Sequence, residues 1–215
     1  MPAAITAAER AITLSLTADQ FLALLSENVE LAEGIFRMLI ESRHLTAGQT
    51  LIHGTLPPDM KDAAHLRPID NLLLLQSSPL LAHATAPQLW RLSAIARERT
   101  IAVNGEALVK GSEAAILIVL SGALRVDEKS QQGTATAGDV IGMYETLAGA
   151  RLDAAVTAIR EARVLRIDRA GLFELLADHT DLLQGLFSLL LRSAFARAEA
   201  DTRPGRAISN TVSTP

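Results

Sequence analysis

Ile116-Leu-Ile-Val-Leu-Ser-Gly122 runs directly into Ala123-Leu-Arg-Val126. After a turn come Gly138-Asp-Val-Ile-Gly142, Ala154-Ala-Val-Thr-Ala158 and Val164-Leu-Arg-Ile-Asp168. Ile116–Leu120 is an unbroken aliphatic and β-branched run, the composition of a strand covered on both faces. The runs that follow are short, and Gly105, Gly122, Gly138 and Gly142 stand where the chain must bend. Their reading is structural, since glycine tolerates positive φ and close backbone approach. Just upstream, Thr100-Ile-Ala-Val103 and Glu106-Ala-Leu-Val109 flank Asn104-Gly105. An Asn-Gly pair suits a type I′ turn, so this stretch predicts a tight hairpin.

Helical periods lie on both sides. Phe21, Leu24, Leu25, Leu31, Ile35, Phe36 and Leu39 recur at three- and four-residue steps between Thr17 and Ile40, the stripe of an amphipathic helical segment. Residues 41–70 lose the period among Gly48, Gly54, Pro57-Pro58 and Pro68 and read as a linker with one short helix. Ala86–Arg97 is amphipathic with Pro87 in its first turn. Trp90, at the edge of the Leu89, Leu92 and Ala96 stripe, is expected to be partly buried. Arg163–Asp168 forms the last strand, and Ala170–Ala177 and Leu182–Ala198 form closing helices. The stripe Phe173, Leu176, Leu183, Leu186, Phe187 and Leu190 serves as core or as a dimer seam. Residues 199–215 have little to bury and read as a disordered tail. The fold class is α+β, a roll of short strands of the eight-strand type over residues 72–198, closed by helices.

That order of runs and glycines resembles the cyclic nucleotide-binding domain family, over roughly Leu72 to Arg192. The resemblance implies a double-stranded β-helix or jelly-roll β-roll, flanked by helices, that cradles cAMP or cGMP. In the family a short helix between two strands holds the ligand: a Glu accepts the ribose hydroxyl, an Arg forks onto the cyclic phosphate, and helix-end amides assist. Matched without a gap from Gly138–Gly142 to Ala154–Val156, Met143 falls at the Glu position and Leu152 at the Arg position. Neither side chain can make those contacts, so the cassette reads as degenerate. The candidate ligand-binding residues are Gly142, Met143, Tyr144, Glu145, Arg151, Leu152 and Ala154. Arg151 lies one position upstream of its slot. Glu145 lies two downstream, a displacement that turns a helical side chain by about 200°. Asp153 is unfavourable for an anion, and the 110–116 loop is shorter than the family's.

Other chemistry is thinly represented. The chain has no cysteine, which excludes disulfides, thiolate zinc sites and thiol nucleophiles. His44, His53 and His65 fit no metal spacing, no Gly-x-Ser-x-Gly occurs, and His179 between Asp178 and Asp181 needs only local polar roles. Arg160, Arg163, Arg166 and Arg169 read as a solvated face neutralised by Glu161, Asp168 and Glu174. No catalytic or metal residue is expected. A net charge of −4 argues against nucleic acid. A transcription-factor reading needs a helix-turn-helix after Phe195, where only 20 residues follow. Leu182–Phe195 is interrupted by Gln184, Ser188, Arg192 and Ser193, so no membrane span is expected in this chain, although a longer parent could be membrane-attached. No secretory signal precedes residue 10, and a cytoplasmic location is expected.

Residues 11–40 match residues 162–191 at a constant offset of 151, with eight identities in thirty positions and no gap. Ala11, Leu14, Leu24, Leu25, Leu31, Gly34, Phe36 and Leu39 meet Ala162, Leu165, Leu175, Leu176, Leu182, Gly185, Phe187 and Leu190. Two explanations stand. Leu-rich helices can match by composition, or residues 1–40 are a strand-helix remnant resembling the end of a preceding copy. The domain order is then 1–40, a linker at 41–70, the roll at 71–198 and the tail. Relatives of this type look like terminal modules of larger bacterial proteins. The expected function is a non-enzymatic regulatory or interaction module, acting through a protein partner or a homodimer along the C-terminal helices. A cAMP or cGMP sensor is the competing reading.

Overall fold

The computed structural model describes residues 7–42, 50–55, 67–77, 81, 84–128, 132–188 and 190. Two helices, α1 (Ala18–Glu27) and α2 (Val29–Ser42), precede a two-residue strand β1 (Leu51–Ile52). Helices α3 (Pro68–Ser77) and α4 (Ala86–Ile95) follow, and then strands β2 (Arg97–Ile101), β3 (Glu106–Leu108), β4 (Ala115–Asp127), β5 (Gln132–Ala135) and β6 (Val140–Ile141). Helix α5 (Met143–Ala148), strand β7 (Ala155–Asp168) and helix α6 (Arg169–Asp178) close the roll, with a further helical stretch over 180–188. The fold is α+β, and its seven strands form one antiparallel sheet in the order β1-β6-β4-β7-β2, with β3 also on β7 and β5 on β4.

β4 and β7 are long because they do not break where they bend. They pair from Ala115↔Asp168 to Asp127↔Ala155, with register shifts on either side of Gly122. Gly122 has φ 84, and a Cβ there would lie 2.1 Å from the Glu161 carbonyl. Only glycine allows the two long strands to cross this closely and continue. Alternation along them makes two cores. Ile116, Ile118, Leu120, Leu165 and Ile167 face the helices, whereas Leu117, Val119, Leu124, Val156 and Val164 fill the interior of the roll. The uninterrupted apolar run of β4 thus reflects burial on both faces.

The expected hairpin does not form. β2 and β3 pair with β7 rather than with each other, at Ile101↔Ala162 and Glu106↔Thr157. Between them Asn104 N–H donates to Ala158 O, and Ala158 N–H donates to Gly105 O. Asn104 has φ 63 while Gly105 is absent from the positive-φ residues, so the two positive values of a type I′ turn are not met. The Gly105 N–H closes a turn on Ala102 O at 2.8 Å. Asn-Gly kinks one strand against the long β7 edge.

The described part of the linker carries β1, because Leu51 and Ile52 complete the edge of β6, and α3 starts within it at Pro68. Two further expectations are corrected. Helix α4 ends at Ile95, and Trp90 is 57% exposed. Its inner face is filled by Gln88, Leu89 and Leu92, Gln88 being held by the Asp181 carbonyl at 2.9 Å, so the ring is turned outward. The basic run is neutralised partly from elsewhere in the fold, with Arg163 on Glu98 at 2.7 Å and Arg169 on Glu33 at 2.6 Å.

The two similar segments share their boundaries. α1 and α6 span Ala18–Glu27 and Arg169–Asp178, the same residues at the offset of 151. The breaks after them are alike too, Asn28 at φ −135, ψ 92 and His179 at φ −135, ψ 86. The C-terminal stripe is core: Phe187 stacks on Phe36 at 4.2 Å and 9°, and Phe173 meets Phe36 edge-on at 6.2 Å. The described part of the expected dimer seam is therefore covered by α2 of the same chain. The expected helix beyond 190 and the tail lie outside the described residues.

Candidate ligand site

Six residues of α5, all buried, stand between two glycines at the mouth of the roll. Gly142 caps the start at φ 76, and a Cβ there would sit 2.4 Å from the Ala115 carbonyl. Thr146 Oγ1 donates back to Gly142 O at 2.6 Å. From outside, Arg37 Nε on α2 donates to the Ala148 carbonyl at 3.0 Å, satisfying an acceptor at the helix end. The short helix is therefore gripped by the N-terminal helices as well as by the sheet.

The seven candidate residues separate by face. Met143 and Tyr144 are buried in the helix-side core, where Met143 shares an apolar void with Leu92, Ile118, Leu147, Ile167 and Leu186. Leu152 and Ala154 are buried inside the roll, and Leu152 is fixed by its N–H to Ser112 O at 3.1 Å. Arg151 stays exposed, pairs with Glu113 as an isolated bridge and donates from Nη1 to Gly111 O at 2.7 Å. It lies along the 111–113 loop.

Glu145 has a different environment from the one its spacing suggests. Its side chain is buried. Thr50 Oγ1 donates to Oε1 at 2.5 Å, and the other oxygen, Oε2, is buried without a hydrogen-bond partner. Burial pushes this carboxyl above the usual carboxylate range. The Thr50 hydrogen bond pulls it down, and the nearby charges of Glu128 and Asp153 push it further up. The charge of Asp153 is shared with Lys110 at 3.8 Å.

The strap that brings Thr50 here was not legible in the sequence. Gly142 N–H donates to Thr50 O at 2.9 Å, Thr50 N–H donates to Glu128 Oε1 at 3.0 Å, and Asp139 accepts from the Gly54 and Thr136 amides at 3.0 and 2.7 Å. His53 Nδ1 lies 3.3 Å from the same Asp139 carboxylate. Apart from Thr136–Asp139, these contacts join positions 78 or more residues apart, and no local pattern announces them. Among the described residues the buried polar side chains are Thr50, Gln88, Asp139, Glu145 and Thr146, and none is basic. No group of metal-ligating side chains occurs among those residues, and no helix of theirs is long and apolar enough to cross a membrane.

Residues 102–179 match the family model of the cyclic nucleotide-binding domain. The fold agrees with solved structures. The N-terminal domain of a transcriptional regulator from Streptomyces coelicolor A3(2) gives a TM-score of 0.54 at 19% identity, covering 62% of this chain and 99% of that one. The sensor domain of the transcriptional regulator DNR from Pseudomonas aeruginosa gives 0.50 at 16%, covering 66% and 98%. A protein from Ruegeria pomeroyi DSS-3 described as cyclic nucleotide-binding gives 0.53 at 12%, covering 64% of each chain. No curated protein matches. Residues 102–179 thus carry the match to the cyclic nucleotide-binding domain model, and the fold is the one these solved structures share.

Proposed function

We propose, from a cyclic nucleotide-binding domain at residues 102–179, that this chain is a non-enzymatic regulatory module whose roll has lost its grip on a cyclic nucleotide. The carrying observation is the absence of any buried basic side chain among the described residues, together with a buried, partly unpartnered carboxyl at Glu145. A cyclic phosphate needs a charged fork or several aimed donors in a site shielded from water. Here Leu152 occupies the interior, and burial together with the charges of Glu128 and Asp153 holds the Glu145 carboxyl above its usual range. The residues present do not fit cAMP or cGMP. What remains is a roll that positions its helices, and α5, α2 and α6 form a packed joint through Arg37–Ala148, Glu33–Arg169 and Phe36–Phe173. Such a joint can hold a protein partner or a second copy without a small molecule.

A thermal-shift titration with cAMP and cGMP at millimolar concentration tests the reading. A ligand at 100 times its Kd adds about 2.7 kcal/mol, a rise of roughly 5–10 °C for a chain of this size. No shift is expected. A shift that Arg151→Ala abolishes would put Arg151 on the phosphate, and the sensor reading, with binding energy moving the helices, would replace this one.

A further inference from the structure

Strand β2 is an open edge of the sheet. It pairs with β7 on one side and with no other strand among the described residues, so alternate amides and carbonyls of Arg97–Ile101 point away from the ladder. Arg97, Glu98, Arg99 and Thr100 are all exposed. The register divides the side chains between two faces. Glu98 and Thr100 share one face with Arg163 and Leu165, and Arg97, Arg99 and Ile101 share the other with Ala162, Val164 and Arg166.

The two faces differ in how charge is balanced. On the first, Arg163 Nε donates to Glu98 Oε1 at 2.7 Å, and the charge is cancelled between neighbouring strands. On the second, Arg97 stands directly opposite Arg166. Like charges facing each other across two strands destabilise a sheet. Arg166 Nε lies 2.6 Å from Asp168 Oδ1, whereas neither Arg97 nor Arg99 has an ion-pair partner among the described residues. The whole chain carries −4, so this strip of positive charge runs against the overall sign. Charge on an edge strand also keeps copies of a chain from pairing. That task does not require two guanidiniums set opposite each other, and the Glu98–Arg163 face carries charge without such repulsion.

We propose that the open edge of β2 docks an extended acidic segment of a partner protein, which adds a strand beside Arg97–Ile101 and sets carboxylates against Arg97 and Arg99. Main-chain hydrogen bonds to the edge supply affinity, and alternate side chains of the added strand, all on one face, supply selection. A guanidinium forks onto a carboxylate through two parallel hydrogen bonds, and a carboxylate beside Arg97 also offsets the repulsion from Arg166. A nucleic acid has no amides or carbonyls in its backbone to continue the ladder. A second copy of this chain laid antiparallel on the same edge about Arg99 would bring Arg99 against Arg99, which like charge disfavours. No residue of α5 belongs to this face, so the inference goes beyond the loss of nucleotide binding and does not depend on it.

The test titrates the full chain with the labelled peptide Thr-Glu-Val-Glu-Val-Glu-Thr, following fluorescence anisotropy and hydrogen exchange. The same peptide with Lys in place of Glu, and an oligothymidylate, are the comparison probes. The Glu peptide should bind and slow exchange of the 97–101 amides by about 10-fold or more. Arg97→Glu with Arg99→Glu should weaken it by about 10-fold or more, whereas Arg160→Glu, an exposed change on β7 outside the face, should leave it within about 2-fold. The double variant should melt no lower than the wild type, because Arg97→Glu removes the repulsion from Arg166, so that lost binding is not lost folding. Absence of binding up to about 1 mM peptide, an unchanged Kd in the double variant, or binding without protection of 97–101 overturns the proposal. Equal or tighter binding of the Lys peptide or of the oligothymidylate also overturns it.

Discussion

Residues 11–40 and residues 162–191 share a pattern, with eight identities in thirty positions, in two surroundings. Both run strand pattern, helix, polar break and helix, with the break at Asn28 in one and His179 in the other. Their exposures differ sharply: Leu14 is 95% exposed and Leu165 is 1% exposed. The C-terminal segment is a strand because β2 and β4 supply partners for its amides. The N-terminal one has a similar alternation and no ladder. Strand propensity describes a fit to a pleated, half-buried surface, and without that surface the same pattern does not pair. The helices behave otherwise. They carry their hydrogen bonds internally, so both copies form them, and the two pack against one another through Phe36 and Phe187.

The largest expected contrast is between matched substitutions. Leu165→Asp places a carboxylate in the helix-side core and should cost more than about 4 kcal/mol, enough to remove cooperative unfolding. Leu14→Asp should stay within about 0.5 kcal/mol, as an exposed change does. Urea denaturation of the two variants gives both numbers, and equal losses would mean that the N-terminal strand is already buried.

The next contrast should vanish. Phe36→Ala and Phe187→Ala remove the two halves of one stacked pair, so each should cost about 3–5 kcal/mol. The double variant should lose about 1 kcal/mol less than the two together. A small effect for Phe36→Ala alone would separate the N-terminal helices from the core.

The smallest effect belongs to the strap between the two regions. Glu145 has its carboxyl pushed up by burial, so the fold favours the protonated form. Its contribution is full below the unfolded value of about 4.3 and is lost as pH rises through the raised folded value. Glu145→Gln should therefore gain about 1 kcal/mol at pH 7, a rise of roughly 2–4 °C in Tm, and nothing below about pH 4. A gain of the same size at both pH values would mean that the carboxyl is not desolvated by the strap.

The sequence by itself determined the roll. The apolar run of β4, the glycines at its crossings and the Ala154–Ala158 strand are local patterns, and burial on two faces leaves a mark in composition. It also showed the ungapped match between residues 11–40 and 162–191, which needs no coordinates to be seen. Only the tertiary structure decided where those elements pair. Asn104-Gly105 kinks a strand, since a long β7 edge outcompetes a short hairpin partner. Trp90 faces water because buried Gln88 finds Asp181 across the helix layer. Glu145 turns into the cassette because Thr50 arrives from 95 residues away with a hydroxyl to donate. Each of these outcomes depends on a non-local partner, and a one-dimensional pattern does not encode which edge, carbonyl or hydroxyl will be nearest once the sheet has closed.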